Sequence, residues 1–295
     1  MDTLNTSERS GLKADQTGKT GKADKNDQAG ETGNTRKACE DRKFAQEVFH
    51  FKKAGSTNQI ALELARKGYP EGTLVVAEEQ TAGRGRWQRS WHSSPGKSLL
   101  FSLILRPKIL PVHFPQITLV AGASTARAVH RQTGIRIGIK WPNDLIFQGK
   151  KLCGILVEAT GEANCLAKFL VLGIGINVNQ ERDDFPLHLQ DTATSLRMIK
   201  GEEVPREPLL QGILETLEDD YEEYCRSGFA LVRQYWLQYE DILGRKVRLL
   251  MGNKEIYGEA VSLAEDGALV LRLPQGEEIR CSAGEVVLCR EDEQR

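Results

Sequence analysis

Residues 72–105 read GTLVVAEEQTAGRGRWQRSWHSSPGKSLLFSLIL, and the alternation of texture inside this stretch decides what must surround it. GTLVVAEEQ predicts a strand rich in β-branched apolar residues, and KSLLFSLIL, nearly continuous in apolar side chains, predicts a strand buried on both faces. Between them lie Gly83, Arg84, Gly85, Arg86 and Arg89, with Trp87 and Trp91 close by. So polar and glycine-rich a segment cannot be a core strand. Held rigidly, its three like charges would repel, so the loop is expected to close on an anion. The planar forks of Arg84, Arg86 and Arg89 suit phosphate and carboxylate oxygens. Gly83 and Gly85 let the backbone approach a ligand closely. Taken alone, such a loop is as often a solvated basic face or a nucleic-acid patch.

Working outward, FAQEVFHFKKAGSTNQIALELARKG (44–68) predicts a short strand and then a helix. Ser56 and Gln59 form a capping-box pattern, Ile60, Leu64 and Ala65 give an apolar face, and Gly68 fits the C-terminal cap. FPQITLVAGASTARAVHRQTG (114–134) predicts a helix, IRIGIKW (135–141) a strand, and DLIFQGKKLCGILVEAT (144–160) a hairpin turning at Gln148-Gly149. KFLVLGIGINVN (168–179) predicts another strand, followed by amphipathic helices over about 206–226 and 228–240. Beyond residue 241 the texture changes to short alternating strands with turns at Gly252-Asn253, Asp266-Gly267 and Gln275-Gly276. This predicts an all-β module of about five strands, a small barrel.

The 295 residues suffice for a sizeable core in more than one domain. Residues 1–43 form a polar tail whose large apolar residues are Met1, Leu4 and Leu12. Such a segment is expected to be disordered and cannot supply the core of a DNA-binding helix-turn-helix. The formal net charge of −1 gives no overall pull toward nucleic acid or membrane, so any basic site must be local. The six cysteines form no CxxC pair, and no spacing suggests a resident metal site. They read as reduced thiols of a cytoplasmic protein, a placement also favoured by the absence of a signal core or an apolar run of membrane length.

Two motif fragments fail on inspection. PGKS (95–98) resembles the end of a phosphate-binding P-loop, but Trp91 stands where the first glycine belongs. GIGINV (173–178) starts as a dinucleotide fingerprint, but Val178 replaces the third glycine and the segment lies inside a strand. Three other elements accompany the arginine loop. In KWPNDL (140–145), Lys140 at a strand end, held by the stiff Trp-Pro turn, can place an ammonium at fixed depth. Asn143 and Asp144 read equally well as turn residues. STN (56–58) opens a helix, where backbone N–H groups and hydroxyls suit a polar ligand head as well as simple capping. Gly154, Gly173 and Gly175 leave gaps in strands where a flat ligand could lie, or mark bulges and tight packing.

In this order and spacing, GRGRxxRxW with KWPND resembles the biotin protein ligases, the BirA family, over about residues 44–290. The resemblance extends to the C-terminal GNKEIYG, DGALVLR and AGEVVL. It implies an α/β (α+β) catalytic domain on a mixed sheet over 44–240, followed over 241–295 by a small Src-homology-3-like barrel. It implies ATP-dependent transfer of biotin, through biotinyl-5′-adenylate and with Mg²⁺, to a lysine of a biotin carboxyl carrier protein. Ser56, Thr57, Asn58 and Gln80 would meet the ureido ring, and Gly154 would line the same pocket. Gly83, Arg84, Gly85 and Arg86 would order over biotin and the adenylate. Lys140 would sit at the carboxylate and α-phosphate, with Lys140 and Arg86 as the catalytic pair. Arg89, Trp91, Asn143 and Asn177 would lie on the nucleotide side, and Arg290 is a candidate for a C-terminal contact there.

The sequence departs from the family pattern at Gln88, which replaces the commonly found middle glycine of GRGRxGRxW. With the polar tail in place of a winged helix-turn-helix, no repressor role and no DNA partner are expected. A homodimer along the sheet edge is compatible with the resemblance. Three other readings stay in view: a lipoate or octanoate ligase of the same superfamily, a nucleic-acid-binding regulator, and a biotin-binding module without turnover.

Overall fold

The computed structural model describes residues 42–160 and 169–289. The tail up to residue 41, Cys39, Cys165 and Arg290 lie outside them. Seven strands build the larger sheet. They are β1 (Val48–Phe51), β2 (Leu74–Ala77), β3 (Ser98–Leu105), β4 (Gly138–Lys140), β5 (Asp144–Phe147), β6 (Lys150–Thr160) and β7 (Phe169–Asn177). Their spatial order is β1-β2-β3-β7-β6-β5-β4. The β1–β2 pair is parallel, while β2–β3, β3–β7 and β6–β7 are antiparallel, so the sheet is mixed, as the resemblance implies. Every residue of β3 is buried, as its nearly continuous apolar pattern predicts.

Five helices join these strands: α1 (Thr57–Arg66), α2 (Phe114–Thr133), α3 (Leu196–Lys200), α4 (Arg206–Ser227) and α5 (Ala230–Tyr239). Because side chains alternate across each strand, the two faces of the sheet take different partners. Val75, Ile104 and Val171 pack with Ala61, Leu64 and Ala65 of α1. Leu74, Val76, Phe101 and Leu103 belong to the main core with α2, α4 and α5. Each such fully buried side chain stabilises the fold by roughly 1.5–3 kcal/mol. The short helix α1 therefore leaves part of its own face uncovered, toward β6 and β7.

The hairpin between β5 and β6 turns where predicted, with Gln148 and Gly149 both at positive φ (50° and 77°), the backbone a two-residue hairpin needs. The capping box at the start of α1 does not form. Ser56 makes no side-chain capping bond; instead the Gln80 side-chain oxygen accepts from the Thr57 backbone N–H at 2.7 Å. A residue just beyond β2 thus caps the helix and ties α1 to the start of the arginine loop.

The C-terminal strands are β8 (Lys246–Met251), β9 (Lys254–Leu263), β10 (Leu269–Arg272), β11 (Glu278–Cys281) and β12 (Glu285–Leu288). They form one five-stranded antiparallel sheet in the order β11-β10-β9-β8-β12, the all-β module expected from the sequence. It packs onto the larger unit through a shared core that includes Trp236, Ile242, Val247 and Leu249. Two bonds to its β9–β10 turn fix the contact: the Trp141 indole N–H donates to Gly267 O at 3.1 Å and Gln116 to Asp266 O at 3.0 Å. No helix among the described residues is long and apolar enough to cross a membrane.

Candidate active site

A cavity of about 1020 Å³ opens on the α1 face of the sheet, where α1 gives way to the arginine loop. The STN corner, the loop, the KWPND turn, the glycine-spaced strands and residues 284–289 surround it. Of the site residues expected from the sequence, Ser56, Thr57, Asn58, Gln80, Arg84, Gly85, Arg86, Arg89, Trp91, Lys140, Asn143, Gly154 and Asn177 all line it.

Its floor is made by the register of β6 and β7. Gly154 pairs with Gly175, and Leu156 with Gly173. The gaps so created are filled by this chain's own side chains. A Cβ at Gly154 or Gly175 would fall 2.9 or 2.8 Å from carbons of the Trp91 ring, and one at Gly173 would fall 2.0 Å from Asn58 Oδ1. The Trp91 indole therefore lies against neighbouring glycines of two strands. Its N–H is buried without a protein partner, a polar group left available to a ligand.

The loop is a small closed unit. Trp91 N donates to Gly83 O at 2.9 Å and Gly85 N to Arg89 O at 2.7 Å. Gly83 fits closely here, since a Cβ would meet Trp91 O at 3.0 Å. At the tip, Trp87 and Gln88 both adopt positive φ, 58° and 59°, a region that costs L-residues other than Gly roughly 1–2 kcal/mol. Gln88 thus occupies a backbone position that a glycine would fill without that cost.

The three arginines are held differently. Arg86 donates to Asn143 Oδ1 at 3.1 Å and to Gly284 O at 2.9 Å. Burial lowers its pKa, while Asp144 and Glu285 act in the opposite sense. Arg89 pairs with Glu285 at 2.5 Å, and that bond is the leading cause that raises its pKa. Arg84 is exposed, and its side chain has no ion pair or hydrogen-bond partner among the described residues. The C-terminal module therefore holds the middle of the loop through Gly284 and Glu285, contacts that span 198 and 196 residues of sequence and leave no local signal.

Asp144, which reads as a turn residue, proves central. Its carboxylate is buried, with Lys151 2.7 Å from one oxygen and Lys140 3.3 Å from the other. Burial alone would raise this carboxyl; Lys151 and Lys140 outweigh it and hold it below the usual carboxylate range. Lys151 also stands 5.7 Å from the Trp91 ring centroid, near enough for a cation–π contact. Lys151 was not among the residues expected to act, and it is as well placed as Lys140 to meet an anion. The sole sequence signal for it is a second lysine in the GKK of the hairpin.

At the other end, the Thr57 hydroxyl lies 3.2 Å from Gln80 Oε1 and 2.8 Å from the hydroxyl of buried Ser102. Ser102 donates to Asn58 Oδ1 at 2.6 Å, and Asn58 Nδ2 donates to Glu158 at 2.7 Å. Ser102 and Glu158 interrupt apolar strands, and that interruption is the signal that could have marked them. Asn177 is buried with both ends of its amide engaged, donating to Thr194 O at 3.0 Å and accepting from Gln180 at 3.2 Å.

One end of the cavity is thus a cationic cluster around a buried carboxylate, and the other is a neutral hydrogen-bonding corner over a glycine floor. The chain matches the model of the biotin/lipoate A/B protein ligase family over residues 51–177, and that of the biotin protein ligase C-terminal domain over 242–288. It is 43% identical over 221 residues to the bifunctional ligase/repressor BirA of Bacillus spizizenii, covering 75% of this chain and 68% of that protein. It is 32% identical over 227 residues to the biotin–[acetyl-CoA-carboxylase] ligase of Paracoccus denitrificans, covering 76% and 93%. Among solved structures it is similar to the biotin protein ligase from Aquifex aeolicus in complex with biotin and ATP, with a TM-score of 0.73 and 32% identity over 83% of this chain and all of that one. On its two matched domains, its relatives and the shared architecture, the chain belongs to the biotin protein ligase family.

Proposed function

We propose that this protein activates biotin with ATP as biotinyl-5′-adenylate and transfers the biotinyl group to a lysine of a biotin carboxyl carrier domain. The observation that carries this reading is the polarity of the cavity of about 1020 Å³. A neutral corner of Thr57, Asn58 and Gln80 suits a flat cyclic urea, while Arg84, Arg86, Lys140 and Lys151 suit a carboxylate and phosphates.

In the first step a carboxylate oxygen of biotin attacks the α-phosphorus of ATP in line. The bond to the leaving oxygen breaks and pyrophosphate departs. Charge builds on the non-bridging oxygens, and Lys140, Lys151 and Arg86 offset it from fixed positions. Magnesium belongs to this account as the counter-ion of the nucleotide substrate, held through phosphate oxygens as this ion commonly is; no group of three His, Cys, Asp or Glu side chains among the described residues forms a cage for it. Arg84 is free to swing onto the adenylate, and the loop shields the water-sensitive anhydride. In the second step the acceptor's lysine amine attacks the acyl carbon and AMP leaves.

Arg89, Trp91 and Asn143 serve the nucleotide side in this reading, and Asn177 acts by holding the strand end beside it. A repressor role is not part of the proposal. The test is incubation with biotin, MgATP and a purified carrier domain, followed by mass spectrometry of the acceptor. One biotinyl addition at one lysine with stoichiometric AMP supports the reading. Addition of lipoate in place of biotin, or binding of biotin with no AMP formed, overturns it.

A further inference from the structure

Glu158 lies behind the neutral corner and does not line the cavity. It sits on β6 in the same alternation as Gly154 and Leu156, half-buried, with one oxygen 2.7 Å from Asn58 Nδ2. We propose that Glu158 is a positioning residue that fixes the direction of a hydrogen-bond chain ending at Thr57, so that Thr57 meets its ligand as an acceptor and selects a ring N–H. The proposal rests on the assignment of biotin, a cyclic urea, to this corner.

The direction follows from counting protons. A carboxylate can only accept, so the Asn58 amide must turn its NH₂ toward Glu158 and its oxygen toward Ser102. That oxygen can only accept, so the single Ser102 proton goes to it at 2.6 Å. The Thr57 hydroxyl, 2.8 Å from Ser102 Oγ, then faces an oxygen with no proton to give. Its other near neighbour, Gln80 Oε1 at 3.2 Å, is also an acceptor. The Thr57 proton is therefore drawn into the protein on either side. What remains toward the cavity is a lone pair, and the complementary ligand group is a donor. Asn58 is held in register for this by Gly173, because a Cβ there would come within 2.0 Å of Asn58 Oδ1.

Replacing Glu158 with glutamine keeps the shape but supplies both a donor and an acceptor, so the chain can run in either direction. The test measures binding of biotin and of two ring-oxa analogues, each with one urea N–H replaced by oxygen, to wild-type protein, E158Q, S102A and the double variant. Wild type should prefer biotin strongly over the analogue that loses the N–H facing Thr57, because an unmet buried acceptor is costly. E158Q should lose about tenfold of that preference, as expected for one charge-assisted hydrogen bond. The KM for ATP should not move. S102A severs the same chain, so the double variant should be no less selective than the worse single one. If E158Q keeps the full preference, or weakens biotin and both analogues equally, Glu158 does not set the direction and the proposal is wrong. A wild-type protein that binds no biotin would instead remove the functional reading on which this rests.

Discussion

Replacing Asp144 with asparagine should destabilise the protein and also change how it responds to its anionic substrate. The buried carboxylate is the near counter-charge of two ammoniums, at 2.7 and 3.3 Å. Removing one partner of a buried pair costs about 3–5 kcal/mol. The Lys151 side chain is 40% exposed and that of Lys140 19%, so water relieves part of the repulsion and the expected loss falls to roughly 2–3 kcal/mol. For a chain of this size that lowers Tm by roughly 5–10 °C.

The effect has a defined pH dependence. The Asp144 carboxyl is held below the ordinary carboxylate range in the fold. Its contribution is therefore complete above the unfolded-state pKa and is lost as pH falls through the depressed folded value. Melting curves of wild type and D144N should differ most near neutral pH and converge in acid. ATP should also raise the Tm of D144N more than that of wild type, since its phosphates replace the missing charge. Equal Tm at neutral pH, or a gap that widens in acid, would refute this account of the cluster.

Three other outcomes follow from the same geometry. K151A and K140A should each lower the rate of adenylate formation by about 10²–10³-fold with the fold retained, as for loss of one preorganised charge donor; rapid-quench measurement of biotinyl-adenylate checks this. R86G, which frees Asn143 and Gly284 from the loop, should let the adenylate escape, seen as diffuse biotinylation of bystander proteins. Q88G should relieve a left-handed non-glycine residue and favour the present loop conformation by about 1 kcal/mol, read as increased protection of the loop from limited proteolysis.

Much of the fold was legible because strong local patterns agree with it. The nearly continuous apolar run of β3, the Gln148-Gly149 turn and the glycine-punctuated C-terminal strands each admit few structures. The arginine loop and Lys140 stood out through the pairing of GRGRxxRxW with KWPND, and the fold brings both to one cavity. The rest depended on strand register and long-range contact. Pairing of Asp144 with Gly154 across β5 and β6 brings Lys151 onto the carboxylate, and nothing in GKK distinguishes it from a solvated pair. Glu285 and Gly284 reach Arg89 and Arg86 from the far end of the sequence. Ser56 fitted a capping rule that does not form; instead Gln80, a tertiary acceptor from beyond β2, takes the first free N–H of the helix.

The central claim is that one cavity joins a urea-binding corner to a phosphate-binding cluster for adenylation. The most direct test is ATP–pyrophosphate exchange by the purified protein with MgATP and either biotin or lipoate. The account predicts exchange that requires biotin, ignores lipoate and disappears in K140A and K151A. Exchange driven by lipoate, or none with biotin in a folded protein that binds it, would contradict the claim.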